Sequence, residues 1–194
     1  MALPRSGTHL APDSGDLLLV AAGDSAALTR LVTRWSQSVY TFFERTREPS
    51  AATEATLATF ERLVASAPRY APDVPFPSFL WRIAVKIVQD EKTGDVLEIA
   101  APKLAESAAA QTALLRSAIA ALPPAERAAF LLTRVARLPA TAAAEAMGVP
   151  ETEVRRRLVR ALESLRTSLV PLLEGPAAPP SDGAAPDEPA GAAS

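Results

Sequence analysis

Apolar side chains recur every three or four residues through most of this chain, which is the spacing of one face of an α-helix. Such a stripe is typical of a helix that buries one side in a core. The clearest example is a helix that begins after Asp24 or Ser25, either of which is suited to cap it. Further helices are predicted at about 16–22, 50–65, 79–91, 112–122 and 124–135. Alternating strand-like runs are few, so the pattern predicts an all-α fold. In the clearest helix, which ends near Arg47, the repeating positions are Leu28, Leu31, Val32, Trp35, Val39, Phe42 and Phe43.

A helix-turn-helix is predicted for the stretch 139–169. Gly148 supplies a turn position without Cβ strain, and Pro150 suits the start of the second helix. This layout fits a helix-turn-helix whose second helix enters a DNA major groove. It also fits an alanine-rich hairpin with a solvated surface, and the spacing alone does not separate the two. The positions predicted to face inward are Ala143, Ala144 and Met147 on the first helix, and Val154, Leu158, Ala161, Leu162, Leu165 and Leu169 on the second.

The helices are predicted to form two small bundles. Residues 14–94 make up the first bundle, and a loop with four prolines at 67–78 precedes its last helix. Residues 95–111 are a linker, and 112–172 form the second bundle with the helix-turn-helix. Residues 1–13 are predicted to be a flexible arm. The alanine- and proline-rich acidic tail at 173–194 has little to bury, so it is predicted to be disordered.

The net charge of −2 conceals an uneven distribution. Between Gln111 and Val170 there are nine arginines and five glutamates, which gives this part of the chain a net charge of +4. Residues 14–92 hold nine basic and nine acidic side chains and are neutral. The four carboxylates beyond Val170 give the tail a charge of −4. The second bundle is therefore basic, as a nucleic-acid-binding domain should be.

Several classes of protein are disfavoured by composition. The chain has no cysteine, its one histidine (His9) lies in the arm, and it has neither a glycine-rich phosphate loop nor paired carboxylates on a predicted scaffold. We therefore expect no enzyme activity, no cofactor and no metal site. No apolar stretch approaches the roughly 20 residues that span a bilayer, and the first residues lack the apolar core of a signal peptide. These features predict a soluble, cytoplasmic protein without membrane insertion.

The second bundle carries the motifs of a known family. Leu122-Pro123 is followed by Glu126-Arg127, and Arg157-Leu158 and Arg160-Ala161 lead to Leu165-Arg166. With the preceding bundle and linker, this pattern resembles a bacterial RNA polymerase sigma factor of the extracytoplasmic-function (ECF) type. Such proteins keep only the second and fourth conserved regions of the family. The likeness covers about residues 14–170, and it implies that the second bundle reads the −35 promoter element. The residues that it would place on DNA are Thr152, Arg155, Arg156, Arg157 and Arg160.

The first bundle is similar to the second conserved region of these sigma factors. The stretch 76–90 resembles the promoter-melting segment, which implies that Trp81, Arg82 and Lys86 face single-stranded DNA. Core packing is the alternative for the Trp81 ring. The stretch 52–60 lies where the family docks on the polymerase clamp. That likeness implies a polymerase contact by Glu54, Leu57, Ala58 and Glu61, although Leu57 and Ala58 replace the expected glutamine and glutamate.

Two functions follow from the resemblance. The first is a sigma-factor-like transcription initiation protein, whose partners are promoter DNA and core RNA polymerase, with an anti-sigma factor left open as a third. The alternative is a helix-turn-helix regulator or protein-interaction module derived from a sigma factor that no longer recruits polymerase. The altered 52–60 stretch is the feature that separates them.

Overall fold

The computed structural model describes residues 11–90 and 108–173, with side chains described for 11–90 and 111–169. All secondary structure in these ranges is helical, which confirms the all-α prediction. The predicted arm, linker and tail lie largely outside the described residues, and the division into domains stays a prediction. The helices are α1 (Pro12–Ala21), α2 (Ser25–Glu44), α3 (Pro49–Ser66), α4 (Phe76–Asp90), α5 (Ala108–Ala120), α6 (Pro124–Phe130), α7 (Ala140–Met147) and α8 (Glu151–Leu173); Ala67–Arg69 is a 3-10 turn and Leu131–Val135 is π-helical.

Helix α1 begins four residues earlier than the apolar pattern predicts. Pro12 occupies the first turn, where its missing N–H costs nothing, and Asp13 is the acidic residue of that turn. Two ion pairs then fasten α1 to α2, one between Asp16 and Arg30 at 2.6 Å and one between Asp13 and Arg34. The start of α2 is as predicted, because the Asp24 carboxylate accepts hydrogen bonds from two free amides at 2.8 and 3.1 Å.

Aromatic rings fill the core of the first bundle. The Trp81 ring centroid lies 5.1 Å from that of Phe42 and 6.5 Å from that of Trp35. Trp35 also contacts Phe76 at 5.6 Å, so the rings of α2 and α4 form one continuous cluster. Trp81 is only 2% exposed. The packing alternative for this side chain is therefore the one that the structure supports.

Small side chains form the buried face of the first helix of the helix-turn-helix. Ala143 and Ala144 are buried as predicted, and Ala146, which the pattern did not single out, is buried too. On α8 the predicted stripe is buried or half-buried, except for Leu162, which is 40% exposed, so the prediction for Leu162 is wrong. Gly148 ends α7 with a φ of 65°, a left-handed conformation that glycine adopts without strain.

Replacing Gly148 with alanine is expected to destabilise the protein by about 1 kcal/mol, because a Cβ is disfavoured at this φ while nothing lies within 4 Å to improve its packing. Gly15→Ala is the matched control. Gly15 lies inside α1 and also has open space around it, so alanine there should be neutral or stabilising. Urea unfolding of the full chain measures both variants. Equal effects at the two positions would contradict the role given to the left-handed cap.

The two bundles are in direct contact. Helix α4 packs against α6 and α7, and the Ser78 hydroxyl donates a hydrogen bond to the Glu145 carboxylate at 2.7 Å. Arg127, only 6% exposed, donates to the Ala120 carbonyl at 2.9 Å and to the Val88 carbonyl at 3.4 Å. A buried cation therefore links the carbonyl groups of both bundles, and the last helix of the first bundle is held beside the helix-turn-helix.

Candidate nucleic-acid interface

The N-terminal half of α8 presents a side rich in arginine to the surface, with Val159 exposed among the polar side chains. Val154 and Ala161 are fully buried and anchor the helix against the rest of its bundle. Thr152, Arg155, Arg156 and Arg160 are exposed, and Arg157 is half-buried on the flank. Of the five predicted DNA contacts on this helix, the structure therefore places four together on the open surface.

Three of these arginines are paired with glutamates one turn away. Arg155 contacts Glu151 through two nitrogens at 3.0 and 2.5 Å. Glu153 contacts Arg157 at 2.7 Å and Arg156 at 2.5 Å. The hydrogen bond from Arg157, and then that from Arg156, lowers the pKa of Glu153. The stabilisation from its pairs is fully present above the ordinary glutamate pKa and is lost as the pH falls through this lowered pKa.

Arg160 differs from its neighbours, because no carboxylate in the described part of the chain pairs with it. Its exposed guanidinium is available to a phosphate or a guanine edge without first leaving an ion pair. The sequence could have shown which arginines are paired, because Glu151 and Arg155, like Glu153 and Arg157, are four residues apart, which is the spacing of ion pairs within a helix. Sequence reasoning treated the arginines alike and missed this difference.

On α4, Trp81, Arg82 and Lys86 were predicted by resemblance to face single-stranded DNA together, but they differ in their exposure. Arg82 and Lys86 are exposed, whereas Trp81 is buried among Trp35 and Phe42, so the expectation that Trp81 faces DNA is not met in this structure. The ring could stack on a base only by leaving the core. Arg82 also donates a hydrogen bond of 3.3 Å to the main-chain carbonyl of Glu145, at the contact with α7.

The residues predicted to contact polymerase lie on the outer side of α3. Leu57 is 60% exposed, Glu54 and Glu61 are exposed, and Ala58 is partly exposed. Val64 is exposed too and follows Leu57 at a spacing of seven residues, which extends the apolar stripe along the same helical face. Leu57 is therefore a surface residue, and its side chain is open to a partner.

The second bundle has a recognisable relative. Residues 112–165 match the family described as sigma-70, region 4. This segment of the chain, with its helix-turn-helix, is similar to region 4 of the sigma-70 family. No curated protein sequence matches the chain.

A solved structure extends the likeness in fold beyond this segment. The structure of CnrH in complex with the cytosolic domain of CnrY is 20% identical, covers 82% of this chain and 97% of that chain, and has a TM-score of 0.66. The RsbN–BldN complex is 22% identical over 78% of this chain and 97% of that chain, with a TM-score of 0.36. The fold shared with CnrH spans both bundles. None of the described helices combines the length and the apolar character of a membrane span.

Proposed function

We propose that this sigma-factor-like protein directs core RNA polymerase to promoter DNA, with the N-terminal half of α8 in the major groove. The observation that carries the proposal is the exposed arginine side of α8 within a segment that matches sigma-70 region 4. The chain would act by binding alone, in the cytoplasm, without a cofactor and without catalysis.

The ion pairs on α8 do not oppose this function. They are exposed pairs within one helix, which are worth only about 0.3–0.5 kcal/mol each. Arg155 and Arg156 can therefore exchange Glu151 and Glu153 for a DNA phosphate or a guanine edge at little cost. Until then the glutamates hold the arginine side chains extended on the helix surface. Arg160 needs no such exchange.

The outer side of α3 is the proposed contact with core polymerase. Glu54 and Glu61 are exposed on this side and flank the Leu57 position, which suits a partner surface that carries basic side chains. By its likeness in fold to CnrH, whose solved structure contains the cytosolic domain of CnrY, we further propose that this chain binds an inhibitory polypeptide.

Restoring the family residues with Leu57→Gln and Ala58→Glu is expected to tighten binding to core polymerase about tenfold or more, because a hydrogen bond to a charged partner is worth about 1.5–3 kcal/mol. Both positions are at the surface, so the substitutions should leave the fold intact. Titration of fluorescently labelled full-length protein with core polymerase measures the change. Leu19→Gln is the control, because Leu19 is an exposed leucine on α1, away from α3.

The same titration decides between the two candidate functions. A protein that lost polymerase recruitment would show no binding in either the original or the restored form, and the regulator alternative would then stand. The departures at Leu57 and Ala58 are what favour that alternative. Binding by both forms without any difference would instead place the docking surface elsewhere on the chain.

A further inference from the structure

Hydrogen bonds join the two bundles on two sides. On one side, the Ser78 hydroxyl of α4 donates to the Glu145 carboxylate of α7 at 2.7 Å. Arg82, one turn further along α4, donates to the main-chain carbonyl of the same glutamate at 3.3 Å. On the other side, Arg116 of α5 donates to the Glu48 carboxylate, just before α3, at 2.9 Å. We call these three bonds the interbundle latch.

Helix α4 is covered on two sides in this arrangement. Nine of its fifteen residues are buried, which is more than the single stripe that a surface helix turns toward one core. Ser78 is 3% exposed and Val85 is 2% exposed, and their spacing of seven residues places them on one side of the helix. Because Ser78 contacts α7, and α4 packs against both α6 and α7, this side is covered by the second bundle.

We propose that the interbundle latch is autoinhibitory: it keeps the free protein closed, with Arg82 held against α7, until core polymerase opens it. The proposal rests on the proposed function, in which α8 reads duplex DNA while α4 faces an unpaired strand. One stretch of DNA cannot be paired and unpaired at once, so the two surfaces must act on different segments. In the closed form α4 and α7 are instead held at the roughly 8–10 Å that separates packed helices.

The latch is weak enough to open without unfolding either bundle. The Glu48 side chain is half-exposed, so solvent screens its pair with Arg116. The bond from Arg82 is long for a hydrogen bond. Arg127, which also reaches across, donates at 2.9 Å within its own bundle and at only 3.4 Å to the first bundle. Opening therefore leaves the shorter of its two bonds intact.

The position of Glu48 explains how polymerase would open the latch. Glu48 directly precedes α3, and the proposed polymerase contact on the outer side of that helix begins at Glu54, about 9 Å further along the axis. A partner that brings basic side chains to Glu54 and Glu61 also brings them near Glu48. They then compete with Arg116 for its carboxylate. Polymerase binding and the closed form therefore weaken each other.

The first experiment measures opening by fluorescence energy transfer in the full-length protein. The chain has no cysteine, so Thr29→Cys and Ser168→Cys introduce the only two thiols for the dyes, at exposed positions of α2 and α8. Core polymerase should lower the transfer between the dyes. Glu145→Ala should let polymerase do so at a concentration lower on the order of tenfold, because the closed form loses a hydrogen bond to a charged group.

Matched variants make this measurement specific to the latch. Ser78→Ala should act like Glu145→Ala, and the double variant should add little, because both substitutions remove the same bond. Glu163→Ala is the control, since it removes an exposed carboxylate of α8 and the same charge. An effect of Glu163→Ala equal to that of Glu145→Ala overturns the latch, because the cause would then be general charge.

The second experiment locks the closed form. Ser78→Cys with Glu145→Cys, joined by a short cleavable thiol cross-linker, should still bind duplex promoter DNA through α8. With core polymerase it should open that DNA at least about tenfold less than the same protein after reduction of the cross-link. Equal promoter opening before and after reduction overturns the latch alone. Absence of polymerase binding by every form, the latch variants included, overturns the proposed function and the latch with it.

Discussion

Substitution of Trp81 by alanine is expected to lower the free energy of unfolding by about 3–5 kcal/mol. The side chain is almost fully buried and contacts the rings of Trp35 and Phe42, so alanine leaves a large cavity among side chains that cannot close it. Stabilities of ordinary domains are only about 5–15 kcal/mol, so this loss is a large share of the total. Urea unfolding of the full-length protein, followed by far-ultraviolet circular dichroism, measures it.

Two neighbouring variants make this prediction specific. Trp81→Phe keeps a ring in the core and removes an indole N–H that is buried without an acceptor in the described part of the chain, so its cost should be much smaller. Arg82→Ala, at the exposed neighbouring position, should change stability by less than about 0.5 kcal/mol. If Trp81→Ala kept full stability while binding of single-stranded DNA fell, the stacking role would be correct and the core role wrong.

The helices that the sequence predicted well are those with a long apolar stripe and a capping side chain. Helix α2 is the best example, because its stripe and the cap at Asp24 lead independently to the same start. Helix α1 was predicted to start late, because its apolar residues begin only at Leu17. Its first turn is stabilised by pairs with Arg34 and Trp35, about twenty residues further along the chain, and periodicity carries no information on such contacts.

The candidate site was predictable only where its residues share one helix. The arginines of α8 are neighbours in sequence, so helical geometry alone placed them on one side. In the first bundle, one cavity instead brings Arg62 and Arg69 together with Arg82 and Lys86, and that proximity depends on how α3 and α4 pack. The contact between Ser78 and Glu145 spans 67 positions and likewise follows from packing. Leu162 was predicted to be buried but is exposed, because the apolar stripe on α8 is wider than the surface of the neighbouring helices that covers it.

Changing Arg156 and Arg160 together to alanine is expected to weaken binding of duplex promoter DNA on the order of thirtyfold or more. Each arginine that contacts a guanine edge or a phosphate contributes about 1–3 kcal/mol. The helix should persist, because both side chains are exposed and Glu153 keeps its hydrogen bond to Arg157. Fluorescence anisotropy with a labelled duplex at several salt concentrations measures the loss, and circular dichroism checks the fold.

The single variants test the difference that the structure reveals between these two arginines. Arg160→Ala should cost more affinity than Arg156→Ala, because Arg156 must first leave Glu153 whereas Arg160 has no competing carboxylate in the described part of the chain. Glu153→Gln should then strengthen DNA binding modestly, since it weakens the hold on Arg156 and Arg157 and removes a negative charge near the phosphates. The pair Arg45→Ala and Arg134→Ala controls for net charge, since both arginines are exposed and lie outside α8. Unchanged duplex affinity in the Arg156 and Arg160 double variant would show that another surface of the protein binds the DNA.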